Sequence, residues 1–302
     1  MAGNDLQLFG GSWTEQKLWM LAKYLKAYTT ALKNKPSKQQ PFRRVYVDAF
    51  AGTGYRERRR AGDATWVIEG LAEPDAQEFL DGSARIALSA DPPFGRYVFV
   101  ESHRARFERL QQELKGACPH LADRMEFVRD DCNVFLPKFC AETDWRSSRA
   151  VVFLDPYGMQ VQWSTMEALA STRAVDVWVL FPLGMAVNRL LTRDGKIPDA
   201  WRDRLDQIFG TQEWYDVFYR QVESEDLFGQ RRREVRKTVS LEAIGWYYNE
   251  RLKTIFAAVA ENPRQLPNST GNPLYLLCFA VGNPAPAAKR LALKIAQYIL
   301  KG

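Results

Sequence analysis

Four carboxylates, Asp48, Glu101, Asp131 and Asp155, each stand where a short apolar run ends. An ionised carboxylate accepts several hydrogen bonds at once, so such a group can read a ribose diol or an exocyclic amine. The runs before them, 45–47, 97–100, 125–128 and 150–154, have the length and the Val, Phe, Tyr and Leu content of strands. Open parallel sheets bind ligands at the carboxyl ends of their strands, beside the point where strand order reverses. After the first run, Asp48-Ala49-Phe50-Ala51-Gly52-Thr53-Gly54 adds a glycine turn whose missing side chains let the backbone approach a ligand.

This order of groups suits S-adenosylmethionine. Asp48 orders the turn or the ligand amino group, and Ala49, Phe50, Gly52 and Gly54 line the adenosine and methionine portions. Glu101, followed by Ser102, suits the two ribose hydroxyls. Asp131 can accept from the adenine amino group, with the Cys132 backbone N–H available to a ring nitrogen. A nicotinamide dinucleotide is the rival on the same fold. Against it, Glu57 stands where the third glycine of GxGxxG is expected, and about 47 residues separate Gly54 from Glu101 where about 20 is usual.

Asp155-Pro156-Tyr157-Gly158 is similar to the DPPY-type turn of methyltransferases that act on exocyclic amines. There the carboxylate and the next carbonyl accept from the amine and aim its nitrogen lone pair. Asp155 and Pro156 take those places here, and Tyr157, at the third position instead of the fourth, is the aromatic that would stack on an extruded base. The other reading of the same residues is a strand-ending Asp-Pro turn with a packed tyrosine.

The elements that would position these groups follow from periodicity. Leu18, Leu21, Leu25, Tyr28 and Leu32 describe a helix over 13–32, with Ser12 or Thr14 as its cap. Residues 55–81 have no clean period and read as a loop inserted before the next helix at 82–88. A charged helix follows at 104–115, and 175–181 supplies a fifth strand. Residues 188–237 read as helical and charged, 254–259 and 274–281 as the last strands, and 287–300 as a closing helix. The expectation is an α/β, Rossmann-like class I methyltransferase fold with a mostly parallel central sheet, flanking helices and a helical insert. Its parts are a cofactor-binding core over 1–187, the insert over 188–240, and strands and a helix over 241–302 that complete the core.

With 302 residues and 46% hydrophobic content the chain can bury a substantial core. Forty-two Lys and Arg against 36 Asp and Glu give a formal charge of +6, which modestly favours a polyanionic partner. The four cysteines show no CxxC pair and there are two histidines, so no metal site is expected. Scattered thiols without a signal peptide suit the cytoplasm, and no run approaches the roughly 20 apolar residues that span a bilayer.

Beyond the glycine turn and the Asp155 turn, the chain carries Gly82-Ser83 before Ile86-Ala87-Leu88, Phe99-Val100-Glu101, Asp131-Cys132-Asn133 and Phe181-Pro182-Leu183-Gly184-Met185-Ala186-Val187-Asn188-Arg189. Together these resemble the three-Cys-motif partner family, TcmP, from the first helix to about residue 191 and more loosely to the end. The resemblance implies a methyltransferase-like fold and a partner protein that carries three cysteines.

Arg56, Arg58, Arg59 and Arg60 follow the glycine turn directly and form a candidate substrate lid. Arg231, Arg232, Arg233, Arg236 and Lys237 form a second basic cluster, and two such patches beside one cleft suit a phosphate backbone. The expected function is S-adenosylmethionine-dependent methylation of an amino group of RNA or DNA. The alternatives are a non-catalytic or partner-dependent nucleic-acid-binding module on the same fold, and methylation of a small molecule or protein.

Overall fold

The computed structural model describes residues 13–52, 80–225, 231–268 and 270–301. The chain runs α1 (Trp13–Ala31), β1 (Arg43–Asp48), α2 (Leu80–Leu88), β2 (Arg96–Val100), α3 (Arg104–Ala117), β3 (Met125–Val128), α4 (Cys132–Glu142), β4 (Ser148–Leu154), α5 (Trp163–Ser171) and β5 (Val175–Phe181). It continues through α6 (Asn188–Leu190), α7 (Asp199–Phe209), α8 (Trp214–Phe218), β6 (Tyr219–Glu225), β7 (Arg231–Lys237), α9 (Leu241–Lys253), β8 (Ala258–Val259), β9 (Arg264–Pro267), β10 (Pro273–Val281) and α10 (Pro286–Lys301).

The central sheet has the order β3-β2-β1-β4-β5-β10-β8, with β9 also paired to β10. From β3 to β5 all pairs are parallel, and β10 runs antiparallel to β5. This is a Rossmann-like α/β sheet. The chain moves outward from β1 to β3, then returns to β4 on the other side of β1, so strand order reverses between β1 and β4. Asp48 lies opposite Phe153 in that pair, which places Asp155 two residues past it, at the same end of the sheet.

Successive strand residues feed opposite faces, as the pleat requires. Val45, Val47, Val98, Val152 and Val177 pack with residues of α4, α5, α7 and α9. Tyr46, Tyr97, Phe99, Phe153 and Trp178 pack with α1, α2, α3 and α10. Burial on both faces is why β4 and β5 read as continuous apolar runs instead of alternating ones.

Two expectations are corrected. Residues 219–225 and 231–237 are not helical: after α7 and α8 they form the antiparallel strand pair β6–β7, from Tyr219↔Lys237 to Glu225↔Arg231. Its register sets Glu223 opposite Arg233, a cross-strand charge pair at 3.4 Å. The strand expected over 254–259 is only Ala258–Val259, because α9 continues to Lys253 and Thr254 stays helical in its backbone. Three of the insert's aromatics are core: Phe209, Trp214 and Phe218 are fully buried and contact one another.

Candidate functional site

The site is built where β1 and β4 end. Asp48, the last residue of β1, is fully buried, and its carboxylate accepts from the Ser83 hydroxyl at 2.6 Å, the Phe50 N–H at 3.3 Å and the Tyr46 hydroxyl at 3.4 Å. It thereby ties the turn after β1 to α2. Burial pushes the Asp48 carboxyl up to about 6, and nearby Asp155 adds to the rise against the pull of the Ser83 and Phe50 bonds.

Asp155 lies next to a residue the sequence reading missed. The Lys17 Nζ donates to Asp155 Oδ2 at 2.6 Å, and Lys17 is 1% exposed. Burial lowers the Lys17 ammonium from its ordinary range, opposed by the charges of Asp155 and Asp48. Lys17 shares the buried stripe of α1 with Leu21, Tyr24 and Tyr28. A lysine in phase with that stripe was the available signal, since an ammonium on a buried face needs a charged partner.

The glycine turn is held by Ala49 N–H to Phe153 O and Ala51 N–H to Val100 O. Ala49 is buried and Phe50 half-buried. Gly52 faces Glu101 so closely that a Cβ there would lie 2.0 Å from Glu101 Oε2. Glu101 is itself buried, with Oε1 accepting the His103 N–H at 2.7 Å and lying 3.6 Å from Arg106 Nε. Ser102 is exposed beside it. Gly54, Arg56, Arg58, Arg59, Arg60 and the Ser12 cap lie outside the described residues.

Asp131 is engaged locally: it caps α4, with Oδ1 accepting from the Asn133 N–H at 2.7 Å and from Asn133 Nδ2 at 3.0 Å. Cys132 opens the helix, so its N–H has no carbonyl a turn earlier to bond. Burial pushes its thiol up to about 12, which leaves the backbone as the useful group. Asn133 is a second residue whose role was missed. It donates to Gln160 O at 2.7 Å and accepts from the Gln162 N–H and Thr165 hydroxyl at 2.9 and 2.8 Å. It thereby clips the loop after Asp155 to α4 and α5.

Pro156 is buried, whereas Tyr157 is 49% exposed. The Tyr157 N–H donates to Gln160 Oε1 at 2.9 Å. The 181–189 run is structural at one point: a Cβ on Gly184 would meet Pro273 O at 2.0 Å, so glycine lets β10 approach. Asn188 accepts from Lys237 of β7 at 2.7 Å. Thus the structure brings Asp48 and Asp155 together around Lys17 and sets Glu101 against Gly52, while Asp131 serves α4. A separate groove of about 380 Å³, lined by Arg43, Arg96, Arg124 and Glu126, lies at the amino ends of the strands, away from the switch point.

The residues present fit an adenosyl ligand on the chemistry of their donors. A buried carboxylate at the end of β2 lies against a glycine without room for a side chain, and the first N–H groups of α4 follow the adjacent strand, β3. No described helix is long and apolar enough to cross a membrane.

No protein-family model and no curated relative matches the chain. Among solved structures it is similar to a spermidine synthase in complex with the transition-state analogue AdoDATO, at 13% identity and TM-score 0.39, covering 91% of this chain and 60% of that one. Spermidine synthase from Thermotoga maritima gives 14%, TM-score 0.38, and 88% and 60% coverage. A candidate S-adenosylmethionine-dependent methyltransferase from Listeria monocytogenes gives 9%, TM-score 0.35, and 84% and 97% coverage. The chain thus spans 60% of the length of the two spermidine synthases.

Proposed function

We propose that the protein is an S-adenosylmethionine-dependent methyltransferase that acts on an amino group of RNA or DNA, together with a three-Cys-motif partner protein. The observation that carries the reading is Asp155 at the end of β4, at the switch point, with the half-exposed ring of Tyr157 two residues on. When bound, S-adenosylmethionine supplies an electrophilic methyl group. The chain's own part is to hold and orient the acceptor. Asp155 and the Pro156 carbonyl accept from the acceptor N–H groups, which directs the nitrogen lone pair and stabilises the positive charge that develops on it. Tyr157 offers a flat face for a base, worth about 1–3 kcal/mol by analogy with other base–aromatic stacks. Glu101 and the Cys132 N–H are the groups for ribose and adenine, and Asp48 fixes the turn between them.

Calorimetry tests the cofactor half. S-adenosylhomocysteine should bind the wild-type protein, and Glu101→Ala should abolish that binding. Transfer of a labelled methyl group to single-stranded RNA and DNA oligonucleotides, with the partner present, tests the acceptor half, and Asp155→Ala should stop transfer while leaving cofactor binding intact. Absence of cofactor binding by the wild type, alone and with its partner, would overturn the reading.

A further inference from the structure

Lys17 is a costly residue to bury. Removing an ammonium from water costs several kcal/mol, and replacing a buried ion pair by apolar side chains is often neutral or stabilising. The neighbours of Lys17 along its helix face, Leu21, Tyr24, Leu25 and Tyr28, are already apolar or aromatic and buried, so helix packing alone is served by a Met or Leu at this position. The ammonium instead reaches the one carboxylate on which the proposed transfer chemistry depends. Its hydrogen bond falls on Oδ2 of Asp155, one of the two carboxylate oxygens.

A second contact ties the same helix to the site. A Cβ on Gly82 would lie 2.4 Å from Leu18 Cδ1, so α1 sits hard on α2 one residue from Lys17. The next residue of α2, Ser83, donates to Asp48. Docking of α1 therefore sets both strand-end carboxylates at once, Asp155 directly and Asp48 through α2.

We propose that Lys17 is a positioning residue of the transfer site: its ammonium holds Oδ2 of Asp155 so that Oδ1 faces the acceptor amine, and it makes the docking of α1 a condition for a competent site. This rests on the methyltransferase reading. Lys17 offsets the Asp155 charge until an amine arrives, and the site is then selective for a nitrogen that carries N–H groups over an acceptor without them.

The test compares two ligands by calorimetry on the full chain. S-adenosylhomocysteine lacks the transferred group, whereas sinefungin carries a primary ammonium in its place. With Lys17→Met the bare carboxylate should pair with that ammonium, raising the sinefungin to S-adenosylhomocysteine affinity ratio about tenfold, the worth of one charge-assisted hydrogen bond. Lys17→Arg, which keeps the charge, should restore the wild-type ratio, and Asp155→Asn should lower the ratio below it. A Lys17→Met protein that loses affinity for both ligands in parallel, or for neither, shows a merely structural lysine and overturns the proposal. If Lys17→Met does not fold, an Asp155→Asn ratio equal to wild type overturns it. Failure of both ligands to bind the wild type instead removes the methyltransferase reading itself.

Discussion

Gly52 and Glu101 occupy each other's space: a Cβ on residue 52 would stand 2.0 Å from Glu101 Oε2 and 3.0 Å from its Cδ. Glu101 is held on its other side by the His103 N–H and by Arg106, so its carboxylate cannot swing away without losing those partners. The turn after β1 and the carboxylate after β2 are therefore one unit.

It follows that Gly52→Ala displaces Glu101. Overpacking of this kind costs about 1–3 kcal/mol of stability. Most of that cost should vanish in a Glu101→Ala background, because the two residues interact directly and their effects are then non-additive. Urea denaturation of the four proteins of the cycle measures it. Equal costs of Gly52→Ala in both backgrounds would show that the clash is with something other than Glu101.

Asn133 makes the next prediction. Its side chain bridges Asp131, Gln160, Gln162 and Thr165, so Asn133→Ala removes several bonds at once from the loop that follows Asp155. The bonds are partly solvated, and a loss of about 1–2 kcal/mol is expected. Amide exchange of Gln160 and Gln162 should quicken more than that of the β4 core residues Val151 and Val152. Unchanged protection across 156–162 would mean that Pro156 and Gln160 hold the loop unaided.

Much of this was legible from residue types, and what escaped shares a cause. The first four strands announced themselves because each is an apolar run followed by a carboxylate, and burial on both faces made β4 and β5 read as apolar runs. The insert misled because β6 and β7 interleave charge with single apolar residues, a pattern that fits an amphipathic helix as well as a two-residue alternation. Lys17 and Asn133 escaped because their partners lie far along the chain: Asp155 is 138 positions from Lys17, and Thr165 is 32 from Asn133. Local spacing cannot express such pairs. Asp131 is also the N-cap of α4, a second task that its place after β3 does not announce.

The arginines of the β6–β7 pair carry less free charge than their number suggests. Arg233 pairs with Glu223 at 3.4 Å and Arg236 with Glu234 at 3.0 Å. A double variant Arg233→Gln, Arg236→Gln should therefore shift the log–log salt slope of duplex DNA binding by less than about 0.9, the share of a single phosphate contact. A shift near twice that value would show that both guanidinium groups leave their glutamates for phosphate, and would place the strand pair in the nucleic-acid interface.

Asp176 supplies a prediction about pH. It lies within β5, buried, where Tyr24 donates to its Oδ2 at 2.8 Å. Burial pushes its carboxyl up to about 7, opposed by the Tyr24 bond and by the charge of Arg149. An unfolded aspartate titrates near 3.9, so between about pH 4 and pH 7 the folded chain holds a proton that the unfolded chain has released. The contribution of Asp176 is fully present below about pH 4 and is lost as pH rises through about 7. Asp176→Asn cannot ionise and keeps an acceptor for Tyr24. Relative to wild type it should gain roughly 2–4 kcal/mol of stability across that interval and nothing further above it. Urea midpoints of both proteins over a pH series give the difference directly, and Asp48, another carboxyl raised by burial, cancels because both proteins carry it. Parallel curves would mean that Asp176 is ionised throughout, with Arg149 compensating its charge.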